Sequence, residues 1–256
     1  MKNFVFLLLI CAGFLTACSQ EAHDVIHSHY IGNTKVILEE KRYSSAQPFL
    51  LLSVHNNERT GVETAEELSR KYEIDFLQLL NFNKRMIDFN NKNYIYSIDP
   101  NRIYSDSGII ATLAKNNYFD SSNILLVKSL GEFIISKIDT GKIIVAVHNN
   151  TEAEYDINRY LTDLKEDAED VFVNPEMDPD DFFLTTDRKI FEELKKRSFN
   201  AILQNNVLAK DDGSMSVYFG KRGIPYVNVE AQHGNKEVQE KMLKELYDVL
   251  KGITRD

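Results

Sequence analysis

Residues 49–58 read Phe49-Leu50-Leu51-Leu52-Ser53-Val54-His55-Asn56-Asn57-Glu58. A short apolar run stopped by polar turn residues reads as a strand buried on both faces, the kind found in sheets covered by helices on each side. A second stretch, Ile143-Ile144-Val145-Ala146-Val147-His148-Asn149-Asn150, ends in the same His-Asn-Asn, and Tyr226–Val229 is a third buried run. Weaker strand patterns lie at Lys35–Leu38, Tyr94–Ile98, Phe182–Leu184 and Ala201–Leu203. Helical periodicity occupies Thr64–Leu80, Gly108–Lys115, Ser122–Lys137, Arg188–Arg197 and Lys236–Lys251, with Thr64 and Glu67 spaced as a capping box. The alternation predicts an α/β sandwich around a central sheet. The acidic stretch from Asp163 to Asp181, with Pro175 and Pro179, reads as an excursion over the surface.

The chain has 256 residues, 43% hydrophobic and 27% charged, with a formal charge of -9. This excludes a collagen-like, disulfide-rich or wholly disordered chain, and it argues against nucleic acid, whose phosphates need clustered cations. At the start, Lys2 precedes the apolar run Phe4–Ile10, and Leu15-Thr16-Ala17-Cys18 follows. That build predicts a secretory signal over 1–17, with Cys18 as the lipidated (palmitate-bearing) first residue of an envelope lipoprotein. Ser19 after the Cys favours the outer membrane, facing the periplasm of a Gram-negative bacterium. Residues 18–33 are expected to be a lipidated tether and 34–256 a single domain. His23, His27 and His29 fall in the tether and are read as solvated rather than as a metal cluster, because nothing near them in sequence would hold the rings.

The strand ends carry the chemistry, since ligands of open α/β sheets collect beyond the carboxyl ends of strands. His55 and Glu58, three residues apart, can converge on one metal ion, and zinc accepts both donor types. His148 supplies a third ligand and leaves a coordination position for water. Glu230 closes the Tyr226–Val229 run, where burial would raise its pKa and suit it to take and return a proton. Asp99-Pro100-Asn101-Arg102 pairs an amide with a planar cation able to grip a carboxylate, and Asp99 is placed to orient a ligand His.

The order HxxE, DxNR, a His closing a strand and a Glu closing a late strand resembles the M14-type zinc carboxypeptidase superfamily, with its murein peptide amidase and aspartoacylase/succinylglutamate desuccinylase branches. The resemblance covers residues from about 49 to 234, as spaced motifs only. It implies a three-layer α/β/α sandwich with a central mixed, mostly parallel sheet, and one zinc ion held by His55, Glu58 and His148. It also implies substrate carboxylate binding by Asn101 and Arg102, Glu230 as base and acid, and an Arg that polarises the scissile carbonyl. Arg85 is the candidate for that Arg, with Arg59 as rival, and Tyr218 is the candidate substrate-binding aromatic. The function implied is an envelope-anchored hydrolase cleaving an amide next to a free carboxylate, a carboxypeptidase or amidase acting on peptidoglycan-derived peptides. The alternatives are an N-acyl amino acid deacylase and a non-catalytic lipoprotein that keeps the fold.

Overall fold

The computed structural model describes residues 22–43, 47–151 and 155–253. In chain order the strands and helices are β1 (His23–Ile31), β2 (Thr34–Arg42), β3 (Phe49–Ser53), α1 (Arg59–Tyr72), β4 (Phe76–Leu80), β5 (Ile87–Asn91), β6 (Tyr94–Ile98), α2 (Asp106–Ala114), α3 (Asn123–Ile135), β7 (Ile143–Asn150), β8 (Ala168–Phe172), β9 (Phe182–Thr185), α4 (Arg188–Lys196), β10 (Ala201–Gln204), α5 (Met215–Gly220), β11 (Tyr226–Gln232) and α6 (Lys236–Ile253). Nine strands form one mixed sheet in the order β1-β2-β4-β3-β7-β11-β9-β10-β8, and β5 and β6 form a separate hairpin. The centre, β4-β3-β7-β11, is parallel, as expected where crossovers run through helices.

Strand alternation divides the core. Phe49, Leu51, Val145, Val147, Val227 and Val229 pack against the side of the sheet covered by α1, α4 and α6. Leu50, Leu52, Ile144, Ala146 and Tyr226 face the layer built by α2, α3, α5 and the hairpin. Since side chains two apart share a face, His148, Asn228 and Glu230 point to this second layer. The expected three-layer α/β/α sandwich is thus present.

Two expectations fail, each for a tertiary reason. Residues 23–31, expected to be tether, form the edge strand β1 (His23–Ile31), paired antiparallel with β2 along its whole length. Its inward positions are Val25, His27, His29 and Ile31. Two of these four are histidines, so no apolar alternation marks the strand. His27 bonds Glu40 at 2.7 Å, and the His29 ring stacks on Phe133, so these two rings are held by neighbouring side chains after all.

The helix expected over Thr64–Leu80 starts at Arg59 and stops at Tyr72, where Glu73 takes a left-handed conformation (φ 54°) and its N–H bonds the Ser69 carbonyl. Phe76–Leu80 is then a strand between β2 and β3. Its Leu and Gln residues favour helix locally, and neighbouring strands override that preference. Thr64 accordingly lies within the helix and donates to the Thr60 carbonyl instead of capping. The acidic excursion contributes β8 to the far edge of the sheet. Cys18 and the signal segment lie outside the described residues, and no described helix is long and apolar enough to cross a membrane.

Candidate metal centre

His55 follows β3 in a tight turn in which the Glu58 N–H bonds the His55 carbonyl at 3.2 Å, and Glu58 stands at the N-terminus of α1. This strand-to-helix turn brings the two side chains together. His148, inside β7 rather than beyond it, comes from the neighbouring strand. His55 Nδ1 lies 2.9 Å from Glu58 Oε1, His148 Nδ1 lies 2.9 Å from Glu58 Oε2, and the two Nδ1 atoms are 3.2 Å apart. All three residues are buried, at 1%, 3% and 4% exposure for His55, Glu58 and His148. Tetrahedral zinc with bonds near 2.1 Å spaces its ligand atoms about 3.4 Å apart. The donor set fits one zinc ion by type, number and spacing.

His55 Nε2 meets Asp99 Oδ1 at 2.8 Å, which keeps the ring proton there and turns Nδ1 toward the other donors. Burial opposes charge on His55, but Glu58 and Asp99 outweigh it and push its pKa up to about 9. Burial likewise opposes ionisation of Glu58 and Asp99, and the facing imidazoles overcome it, holding both carboxyls well below their ordinary range. Arg85 reaches the same cluster, bonding Glu58 Oε1 at 2.5 Å and Asp99 Oδ2 at 3.3 Å. Arg59 instead pairs with Glu63 on the exposed face of α1.

The donors open into a cavity of about 530 Å³ that is also lined by Asn101, Arg102, Tyr155 and Glu230. Glu230 is buried, and loss of hydration raises its pKa; Asn228 Nδ2 donates to its Oε1 at 3.0 Å. Arg102 donates to the Asn101 carbonyl at 2.7 Å and lies 3.6 Å from Asp212. Asn101 Oδ1 accepts from the Met215 N–H at 3.1 Å, leaving its NH2 group to donate. Behind Arg102 the backbone is tightly packed: a Cβ on Gly108 would lie 2.4 Å from Gly213 Cα and 2.7 Å from the Arg102 carbonyl oxygen.

Tyr218 is not brought to this cavity. It lies on α5 next to Val217, which does line the cavity, and one helical step turns Tyr218 away, under the Arg222 guanidinium at 3.6 Å and beside Tyr104. Tyr226 lines the cavity, and so do Tyr155 and Tyr160, whose hydroxyls are 2.5 Å apart. The latter two sit in a polar stretch with no periodicity, so nothing in the sequence marked them. The neighbouring asparagines hold turns: Asn56 Oδ1 accepts from Asn83 N–H, and Asn149 links the Gly61 N–H to the Ala231 carbonyl.

No family model matches this sequence, and no curated protein does. Among solved structures it resembles an aspartoacylase family protein from Mesorhizobium loti, at 12% identity over 93% of this chain and 69% of that one, with a TM-score of 0.46. It also resembles a metallo-carboxypeptidase from Burkholderia cenocepacia, at 10% identity over 92% and 66% of the two chains, with a TM-score of 0.46. These are proteins of the groups that the motif order resembles.

Proposed function

We propose that this protein is a zinc-dependent hydrolase that cleaves an amide bond next to a free carboxylate. One observation carries the reading: His55, Glu58 and His148 form a buried three-donor set at a cavity that also holds Glu230 and Arg102. Zinc in such a site acts as a Lewis acid toward a carbonyl and lowers the pKa of bound water.

The chain's own residues would do the rest. Arg102, helped by the Asn101 amide, would fix the substrate carboxylate and so set which amide lies near Glu230. Glu230, with its raised pKa, would take a proton from the attacking water and return it to the departing nitrogen. Arg85 is the cation beside the donors and would meet the charge developing on the carbonyl oxygen. Asp99 would keep His55 in the tautomer that leaves Nδ1 free.

The reading extends to a lipid anchor at Cys18 and to peptidoglycan-derived peptides as substrates, because the Leu15-Thr16-Ala17-Cys18 sequence gives an envelope address. Full-length protein loaded with zinc should release an amino acid or short peptide from muropeptides. Release of only acetate or succinate from N-acyl amino acids would replace the peptide reading, and a zinc-bound protein that cleaves neither would overturn hydrolysis. Incorporation of labelled palmitate, lost in Cys18→Ser, tests the anchor.

A further inference from the structure

We propose that the inner part of this cavity receives the side chain of the amino acid released by hydrolysis and selects one that ends in an ammonium group. The inference rests on the hydrolase reading and adds the chemistry of the leaving residue.

Sheet register places the groups. Asn228 precedes Glu230 by two residues on β11, so it shares its face, roughly 6.6 Å farther in. Leu184 of β9 pairs with Asn228, and Ile202 of β10 pairs with Leu184, which puts Gln204 on the same face. Asn228, Leu184 and Gln204 all line the cavity.

Hydrogen bonding fixes which way both amides point. Asn228 Nδ2 is drawn to the Glu230 carboxylate at 3.0 Å, and its Oδ1 is buried without a partner. Gln204 Nε2 donates to Asn206 Oδ1 at 3.1 Å and to the Ser216 carbonyl at 3.0 Å, so its oxygen is the atom left to accept. Gly220 makes room for this arrangement: a Cβ there would lie 2.4 Å from Asn206 Oδ1 and 2.5 Å from Gln204 Nε2.

Two acceptors on this face therefore lack a donor, the Asn228 oxygen just beneath the cavity surface and the Gln204 oxygen, and the carboxylate of Asp167 also lines the cavity. An aliphatic side chain would leave both oxygens unpaired, and a carboxylate would meet lone pairs. An ammonium donates to both. Leu184, Val217 and Tyr226 provide apolar surface for the methylene chain that carries it.

The test compares matched acyl dipeptides ending in lysine or norleucine, which differ in the terminal ammonium, using the full-length zinc-loaded protein. The lysine substrate should have a kcat/KM higher by about tenfold or more. Gln204→Leu should erase that ratio and Gln204→Glu should raise it, so the second variant decides if the first does not fold. Calorimetric binding of free lysine against free norleucine reads the same preference without turnover. Norleucine equal to or better than lysine in both assays overturns the subsite and leaves hydrolysis standing. A lysine preference in binding with no cleavage of either substrate overturns the hydrolase reading and leaves the subsite standing.

Discussion

His148 of β7 and Glu230 of β11 are direct partners in a parallel ladder. A metal donor and the group proposed to move protons are thus fixed by backbone pairing on adjacent strands, and neither depends on a loop for its position. Glu230→Gln should therefore keep the metal and lose turnover by roughly 100 to 10,000-fold. Metal analysis beside a rate assay checks this, and an active, zinc-bound Glu230→Gln protein would remove Glu230 from the role.

The pH profile follows from the same residue. Burial raises the Glu230 pKa, and a base must be ionised to act, so activity should climb with pH through a midpoint above the ordinary carboxylate value of 4.5. The effect on stability has the opposite sense. A raised folded-state pKa contributes stability that is complete below the unfolded value and is lost as pH rises through the folded one. At neutral pH Glu230→Gln should melt no lower than the parent, and above it if Glu230 is ionised.

Zinc uptake should release protons. With its pKa near 9, His55 is largely an imidazolium at pH 7.5 in the metal-free protein, and it must lose that proton to bind. Zinc affinity should rise with pH up to about 9, as titration against a competing chelator would show. Metal-free stability should fall on both sides of neutrality. The His55 contribution is lost between its unfolded value of 6.5 and about 9, and those of Glu58 and Asp99 are lost as pH drops through their lowered values.

Asp99→Ala should weaken zinc binding by roughly 10 to 100-fold without removing a donor, because His55 loses the partner that orients it. His55→Ala and His148→Ala should abolish stoichiometric binding. Unchanged affinity in Asp99→Ala would make the 2.8 Å contact incidental.

Ile31, fully buried at the end of β1, separates a strand from a tether. Ile31→Ala should cost about 2–5 kcal/mol in denaturant unfolding, the usual range for a buried aliphatic truncation. A residue in a solvated leash would show no change.

The central strands and the donor set were legible because each is a local pattern: Phe49–Ser53 and Ile143–Val147 are apolar without interruption, and His55 and Glu58 sit within one turn. Asp99 and Arg102 were legible for the same reason, as neighbours in a short element. What escaped was decided by distant chain. β1 is hidden because His27 and His29 occupy its inward positions, and Phe76–Leu80 resembles helix until β2 and β3 flank it. Tyr155 and Tyr160 are local neighbours whose packing on Phe182 no nearby residue announces, and one helical step separates Val217, in the cavity, from Tyr218, outside it.

The contact of Gly108 with Gly213 behind Arg102 bears on how mutations distant from the metal would act. Two bare backbones touching there mean that the segment presenting Arg102, the proposed carboxylate-binding residue, is positioned during folding, so its ordering entropy would not recur with each encounter with substrate. A methyl group at either glycine would displace the Arg102 backbone, which none of the three zinc donors belongs to. Sequence change at this joint would thus strike the proposed capture of substrate before it reached the metal donors.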